Sequence, residues 1–241
     1  MSSVAEPEAQ SLTVDPALRA MFVTACRILL AEGLSEAAFN VSCRLPGGRY
    51  LTNPVTSPSL VRTDNLEVHE ISAIAGPWKA HPAIYEQRPD VNAIVHVHAP
   101  YAIAFGALRQ QFRPIHHYGA PFFENLPNDD RPGQTGSADE ARRIARALGA
   151  APAMLQQAHG VIAVGVDLRE AVLHALYLEE ACRIYSISCQ MGQPHFLTRE
   201  QAEKITKQIM KPRSQQKAWE HYADKLRFRM DPCGAGMRRT D

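Results

Sequence analysis

The run Val91-Asn-Ala-Ile-Val-His-Val-His98 constrains the fold of this chain more than any other stretch. Nearly continuous apolar, β-branched residues bounded by Arg88-Pro89-Asp90 predict a buried strand. Strand side chains alternate between faces, which puts Ile94, His96 and His98 on one side and Val95 and Val97 on the other. The two imidazoles then share a face with α-carbons roughly 6 to 7 Å apart, close enough to bind one metal ion. The competing reading is a pair of partly buried histidines bonded to their neighbours.

A third histidine shifts the balance. Ala153-Met-Leu-Gln-Gln-Ala-His159-Gly160-Val-Ile-Ala-Val-Gly165 reads as strand, tight turn, strand, with His159 at the turn and Gly160 allowing a change in the sign of φ. A histidine presented at a strand end can complete a facial set of three that leaves coordination positions open for substrate or water.

The remaining pattern is α/β. Asp15-Pro16, then Leu18, Phe22, Cys26 and Leu29/Leu30, closed by Gly33, predicts a capped amphipathic helix. Val41 to Leu45 and Arg49 to Thr52 form a hairpin around Pro46-Gly47-Gly48, and Lys79 to Gln87 a short helix. Ser137-x-x-Glu140 and Asp167-x-x-Glu170 look like capping boxes opening two helices. Thr198-x-x-Gln201 starts a last polar helix that Pro212 punctuates, followed by Lys217 to Arg227 with Trp219 and Tyr222. One α/β domain results, with helices flanking a mostly antiparallel sheet. Residues 1–13 read as a disordered leader, 14–229 as the domain and 230–241 as a flexible tail.

With 26 Lys+Arg against 25 Asp+Glu, the chain lacks the basic excess of a nucleic-acid-binding or polybasic membrane-surface protein. Its apolar runs, such as Ala99 to Leu108, fall short of the roughly 20 residues a membrane span needs. Five cysteines without a C-x-x-C pair suit a reduced cytoplasm better than a disulfide framework.

Arg88-Pro89-Asp90-Val91-x-Ala93-Ile94-Val95-His96-x-His98, then Ala158-His159-Gly160 with Gly165, then the helix containing Glu179 resemble the class II aldolase and adducin head-domain family over most of the chain. That resemblance implies a three-layer α/β/α sandwich around a central, mostly antiparallel sheet. It also implies a homotetramer with active sites between subunits, a small-molecule substrate, and His96, His98 and His159 as ligands of a divalent metal. Three imidazoles suit Mn, Zn, Fe or Co and disfavour Mg.

The departures matter as much. Sugar-phosphate aldolases of the family carry a Gly-Asn pair in the first hairpin and a glutamate before a tryptophan. Here those stretches are Phe39-Asn40 and Gly76-Pro77-Trp78, so Pro77 stands where the glutamate acid/base would be. The segment from Asn53 to Leu66, Trp78-Lys79-Ala80-His81 and Pro114-x-x-His117 is similar instead to the branch of decarboxylases acting on hydroxylated aromatic or pyridine carboxylates. That branch also holds a non-haem iron oxygenase type.

By resemblance, then, the chain is expected to be a metal-dependent lyase that decarboxylates a hydroxylated aromatic or heteroaromatic carboxylic acid, with a non-haem Fe(II) oxygenase on an aryl 2-oxo or hydroxy acid, an aldolase on a non-phosphorylated substrate and an adducin-like assembly module as alternatives. His81 and His117 are candidate acid/bases, each near a neutral pKa, in place of the missing glutamate. Tyr222 is a candidate reaching a neighbouring subunit's site, as a tyrosine near the C-terminus does in the aldolases. Asn40 and Trp78 are candidate substrate contacts, Trp78 and Phe39 walling a flat ring. Lys79 and Arg142-Arg143-x-x-Arg146 read as solvated charges, and Glu179 and Glu180 as interhelical salt-bridge partners.

Overall fold

The computed structural model describes residues 14–35, 38–74, 78–108, 110–131 and 136–230. The expected leader, residues 231–241 of the expected tail, and the Gly76-Pro77 substitution lie outside the described residues.

Asp15 caps helix α1 (Pro16–Ala31), its carboxylate accepting from Ala17 N at 2.9 Å. The hairpin follows as β1 (Asn40–Leu45) and β2 (Arg49–Thr52), turned by Gly47 and Gly48 at φ near +70°. Next come β3 (Glu67–Glu70), α2 (Ala80–Gln87), β4 (Ala93–Val97) and α3 (Pro100–Gly106). A 3-10 turn (His117–Phe122) leads to β5 (Asn128–Asp129), α4 (Ala138–Leu148), β6 (Ala153–Gln156) and β7 (Gly160–Gly165). The chain closes with α5 (Leu168–Met191), α6 (Arg199–Ile209) and α7 (Pro212–Met230). Pro212 thus opens a helix of its own rather than interrupting one, as its fixed φ suits a first helical turn.

The strands form one sheet in the order β3-β2-β1-β4-β7-β6-β5, antiparallel throughout except for the β5/β6 pair. Alternation along β4 feeds two separate cores. Val95 and Val97 pack with Phe22 and Leu29 of α1 and Leu173 and Leu176 of α5. Ile94 packs on the other side with Ile84 and Tyr85 of α2, Ile144 and Leu148 of α4, and Ile162 and Val164 of β7. Helices therefore cover both faces, giving the expected three layers. No helix among the described residues is long and apolar enough to cross a membrane.

Three charge assignments change in three dimensions within this scaffold. Arg143 is not a solvated charge: its guanidinium forks onto the buried Asp129 carboxylate at 2.6 and 2.8 Å and ties α4 to β5. Glu179 is not a salt-bridge partner between helices, because it accepts from Tyr101 N and Ala102 N and caps α3. Glu180 pairs with Arg183 within its own helix.

Candidate active site

The α2 face of the sheet ends in a cluster of polar side chains. Register pairs His96 with Asn40 of β1 on one side and with Ile162 of β7 on the other. Asn40, Ser42 and His96 therefore share a face, and α2 lowers His81 onto it. Above them is a cavity of about 360 Å³ lined by Asn40, Trp78, His81, His96, His98 and His159, with Lys79 and Gln156 at its edge.

His96, His98 and His159 converge here. Their ring centroids lie 4.8 to 5.3 Å apart, and one ligating nitrogen from each falls within 4.8 Å of the others. Nδ1 of His96 is 3.1 Å from the Val161 carbonyl, an acceptor, so Nδ1 carries the proton and Nε2 keeps its lone pair. Burial, reinforced by the neighbouring imidazoles, pushes His96 well below the usual histidine range, and burial with His98 lowers His159. Both are neutral at pH 7, the state a metal ligand requires.

Gly160 makes this approach possible. A β-carbon there would stand 2.4 Å from the Val97 carbonyl, 3.1 Å from His98 Cδ2 and 3.3 Å from His96 Cε1. Gly160 does not carry the change in the sign of φ expected of it. Ala158 does, at φ +55°, in a turn closed by His159 N donating to the Gln156 carbonyl at 3.0 Å. A non-glycine in that conformation is strained by roughly 1–2 kcal/mol. The glycine is instead spent one step later, on the close backbone contact.

The other expected site residues divide. Asn40, Trp78 and His81 reach the cavity; His117 and Tyr222 do not line it. His117 is exposed on the 3-10 turn, and Tyr222 packs half-buried against the α5 side of the molecule. Phe39 does not wall the cavity either: it is buried in the α1/α5 core. Lys79, expected on the surface, lines the cavity and is the one charged side chain to do so among the described residues.

His81 departs from the expected near-neutral acid/base. Full burial pushes it down to about 3, so its cationic form is not populated near pH 7. Its Nδ1 meets Ser42 Oγ at 2.7 Å, and Ser42 Oγ meets the Tyr85 hydroxyl at 2.8 Å. Ser42, Tyr85 and Gln156 carried no signal in the sequence, because only the β1/β4 register, the seating of α2 and the β6/β7 pairing bring them to the histidines.

Four buried polar atoms of cavity residues have no partner among the described residues: Trp78 Nε1, His81 Nε2, Gln156 Oε1 and His159 Nδ1. A polar group buried without a partner costs about 1–3 kcal/mol, so four around one cavity mark a place built for a ligand.

Residues 20–186 match the Class II Aldolase and Adducin N-terminal domain. The chain belongs to this family. Decarboxylase NovR of Streptomyces niveus is 30% identical over 66% of this chain, an alignment that spans 64% of NovR, just under two thirds of it. The 5-methylthioribulose-1-phosphate/5-deoxyribulose-1-phosphate aldolase of Rhodospirillum rubrum is also 30% identical, over 78% of this chain and 89% of the enzyme. Among solved structures, an aldolase II superfamily protein from Pseudomonas syringae superposes with a TM-score of 0.77 at 22% identity, over 92% of this chain and 96% of that one. It has the same fold.

Proposed function

We propose that this protein is a metal-dependent decarboxylase of a hydroxylated aromatic or heteroaromatic carboxylic acid. Membership of the class II aldolase family carries the coarser part of that statement, a metal-dependent carbon–carbon lyase whose relatives include a decarboxylase and an aldolase. The finer part rests on one observation: beside the three histidines lies a largely apolar cavity, with Trp78, Val55 and Ile162 in its walls and a single cation, Lys79. Such a lining suits a flat ring with one carboxylate better than a doubly charged phosphate.

His96, His98 and His159 fit a divalent ion such as Mn, Zn, Fe or Co by donor type and spacing. When bound, that ion supplies Lewis-acid stabilisation of the negative charge that develops as a carbon–carbon bond breaks. The chain's own residues do the rest. Trp78 and Ile162 hold the ring and exclude water. Lys79, the one charged side chain lining the cavity among the described residues, draws the carboxylate in. His81, neutral and rigidly held, hydrogen-bonds an oxygen of the substrate.

In this reading the active unit is a homotetramer in the cytoplasm. His117 and Tyr222, which do not line their own chain's cavity, would serve a neighbouring subunit's.

The test is to load the protein with Mn, Zn, Co or Fe(II) and offer ortho-hydroxybenzoates, hydroxypyridine carboxylates and sugar phosphates in parallel. Release of one CO2 per carboxylate consumed, lost in His98→Ala, supports the reading. Aldol cleavage of the sugar phosphates, or oxygen uptake with an aryl 2-oxo acid, overturns it.

A further inference from the structure

His81, Ser42 and Tyr85 form a closed chain of three polar groups, each almost wholly buried. Ser42 Oγ is the partner of both His81 Nδ1 and the Tyr85 hydroxyl, and among the described residues neither of those two atoms has another. That restricts where the protons can sit. If His81 Nδ1–H donated to Ser42, Ser42 would have to donate to Tyr85, and the Tyr85 proton would be left without an acceptor. If His81 and Tyr85 both donated to Ser42, the serine proton would be stranded instead. Each arrangement leaves one proton unmet, and only one puts it on the ring nitrogen away from Ser42, on the side chain that lines the cavity: Tyr85 donates to Ser42, and Ser42 donates to His81 Nδ1. The imidazole proton then resides on Nε2, the atom without a partner among the described residues, on a side chain lining the cavity.

We infer that Ser42 and Tyr85 are positioning residues that hold His81 in its Nε2–H tautomer, so that the site presents a fixed, uncharged hydrogen-bond donor to an anionic oxygen of the substrate. Arg44 braces the far end of this chain. Its guanidinium stacks over the Tyr85 ring at 4.7 Å and donates to the Tyr85, Arg88 and Val91 carbonyls, locking α2 against β1 and β4. His81 is then a donor and not the base of the reaction. The inference takes from the proposed function only that the substrate carries an anionic oxygen.

The tautomer is read directly from two-bond proton–nitrogen correlation spectra of protein labelled with 15N-histidine, with His81 assigned by comparison with His81→Gln. The wild-type spectrum is expected to show His81 protonated at Nε2, and Ser42→Ala to show a mixture of tautomers. In kinetics, Ser42→Ala is expected to lower kcat roughly tenfold at unchanged metal content, and near-isosteric Tyr85→Phe to lower it by a smaller factor, because Ser42 can still donate but no longer receives the proton that orients it. Protonation of wild-type His81 at Nδ1 overturns the inference. So does an unchanged tautomer in a folded Ser42→Ala protein. Neither spectrum depends on the substrate, so a failure to release CO2 would count against the proposed function and leave the tautomer result standing.

Discussion

The rings of His96 and His159 meet edge to face with centroids 4.8 Å apart, one from the central strand β4 and one from the turn between β6 and β7. Gly160 permits that meeting, since a side chain there would collide with the backbone of β4 and crowd both His96 and His98.

Gly160→Ala is therefore expected to damage the site and the fold together. Its β-carbon would fall 2.4 Å from the Val97 carbonyl, and backbone cannot swing aside as a flexible side chain can. Overpacking of this kind costs about 1–3 kcal/mol. Denaturant unfolding should show that loss, and metal titration a weakened affinity; wild-type affinity in this variant would mean the strands are looser than described.

Stability is expected to fall in acid through buried neutral histidines. His81 is pushed down to about 3 by burial, and burial also lowers His174, whose Nδ1 donates to the Val164 carbonyl at 2.7 Å. Unfolded, each takes up a proton below about pH 6.5; folded, each resists it. The unfolded state thus binds more protons between pH 6.5 and about 3, and stability is lost as pH falls through that window. His81 alone contributes a slope of about 1.4 kcal/mol per pH unit there. Unfolding free energies measured across this range should show a shallower slope in His81→Gln than in the wild type.

Phe39→Ala is expected to act on stability alone. The ring is 2% exposed in the α1/α5 core and does not line the cavity. Removing it should cost about 3–5 kcal/mol. Folded Phe39→Ala protein at low temperature should keep its metal content and its KM, whereas a raised KM would put the ring back at the substrate.

Trp78→Phe separates the ring from its N–H. The indole nitrogen is a buried donor without a partner among the described residues, on a side chain that lines the cavity. Keeping an aromatic wall while deleting the donor should raise KM roughly three- to tenfold with kcat within about twofold. An unchanged KM would show that Trp78 Nε1 meets nothing on the substrate.

Much of the fold is legible in the chain. The caps at Asp15, Ser137, Asp167 and Thr198, the Gly47-Gly48 turn and the alternation of β4 are local features, written in a few adjacent residues. The three histidines are legible for a similar reason, because strand parity and a turn suffice to point them together. What the sequence hides depends on register and helix placement. Phe39 and Asn40 are neighbours that the pleat sends to opposite faces, one into a core and one into the cavity. Ser42 looks like any strand serine until α2 sets His81 and Tyr85 over it. Arg143 looks solvated until β5 brings Asp129 beneath it. His81 looks like a histidine of ordinary pKa until burial is known.

The most direct test is the metal content of the purified wild-type protein, measured by elemental analysis beside a His96→Ala/His159→Ala variant prepared identically. About one Mn, Zn, Fe or Co per chain in the wild type, absent from the folded variant, is the expected result for a site made by these imidazoles. A wild type that neither holds nor takes up metal, or a variant that keeps it, would contradict the three-histidine centre and favour an assembly role for this domain.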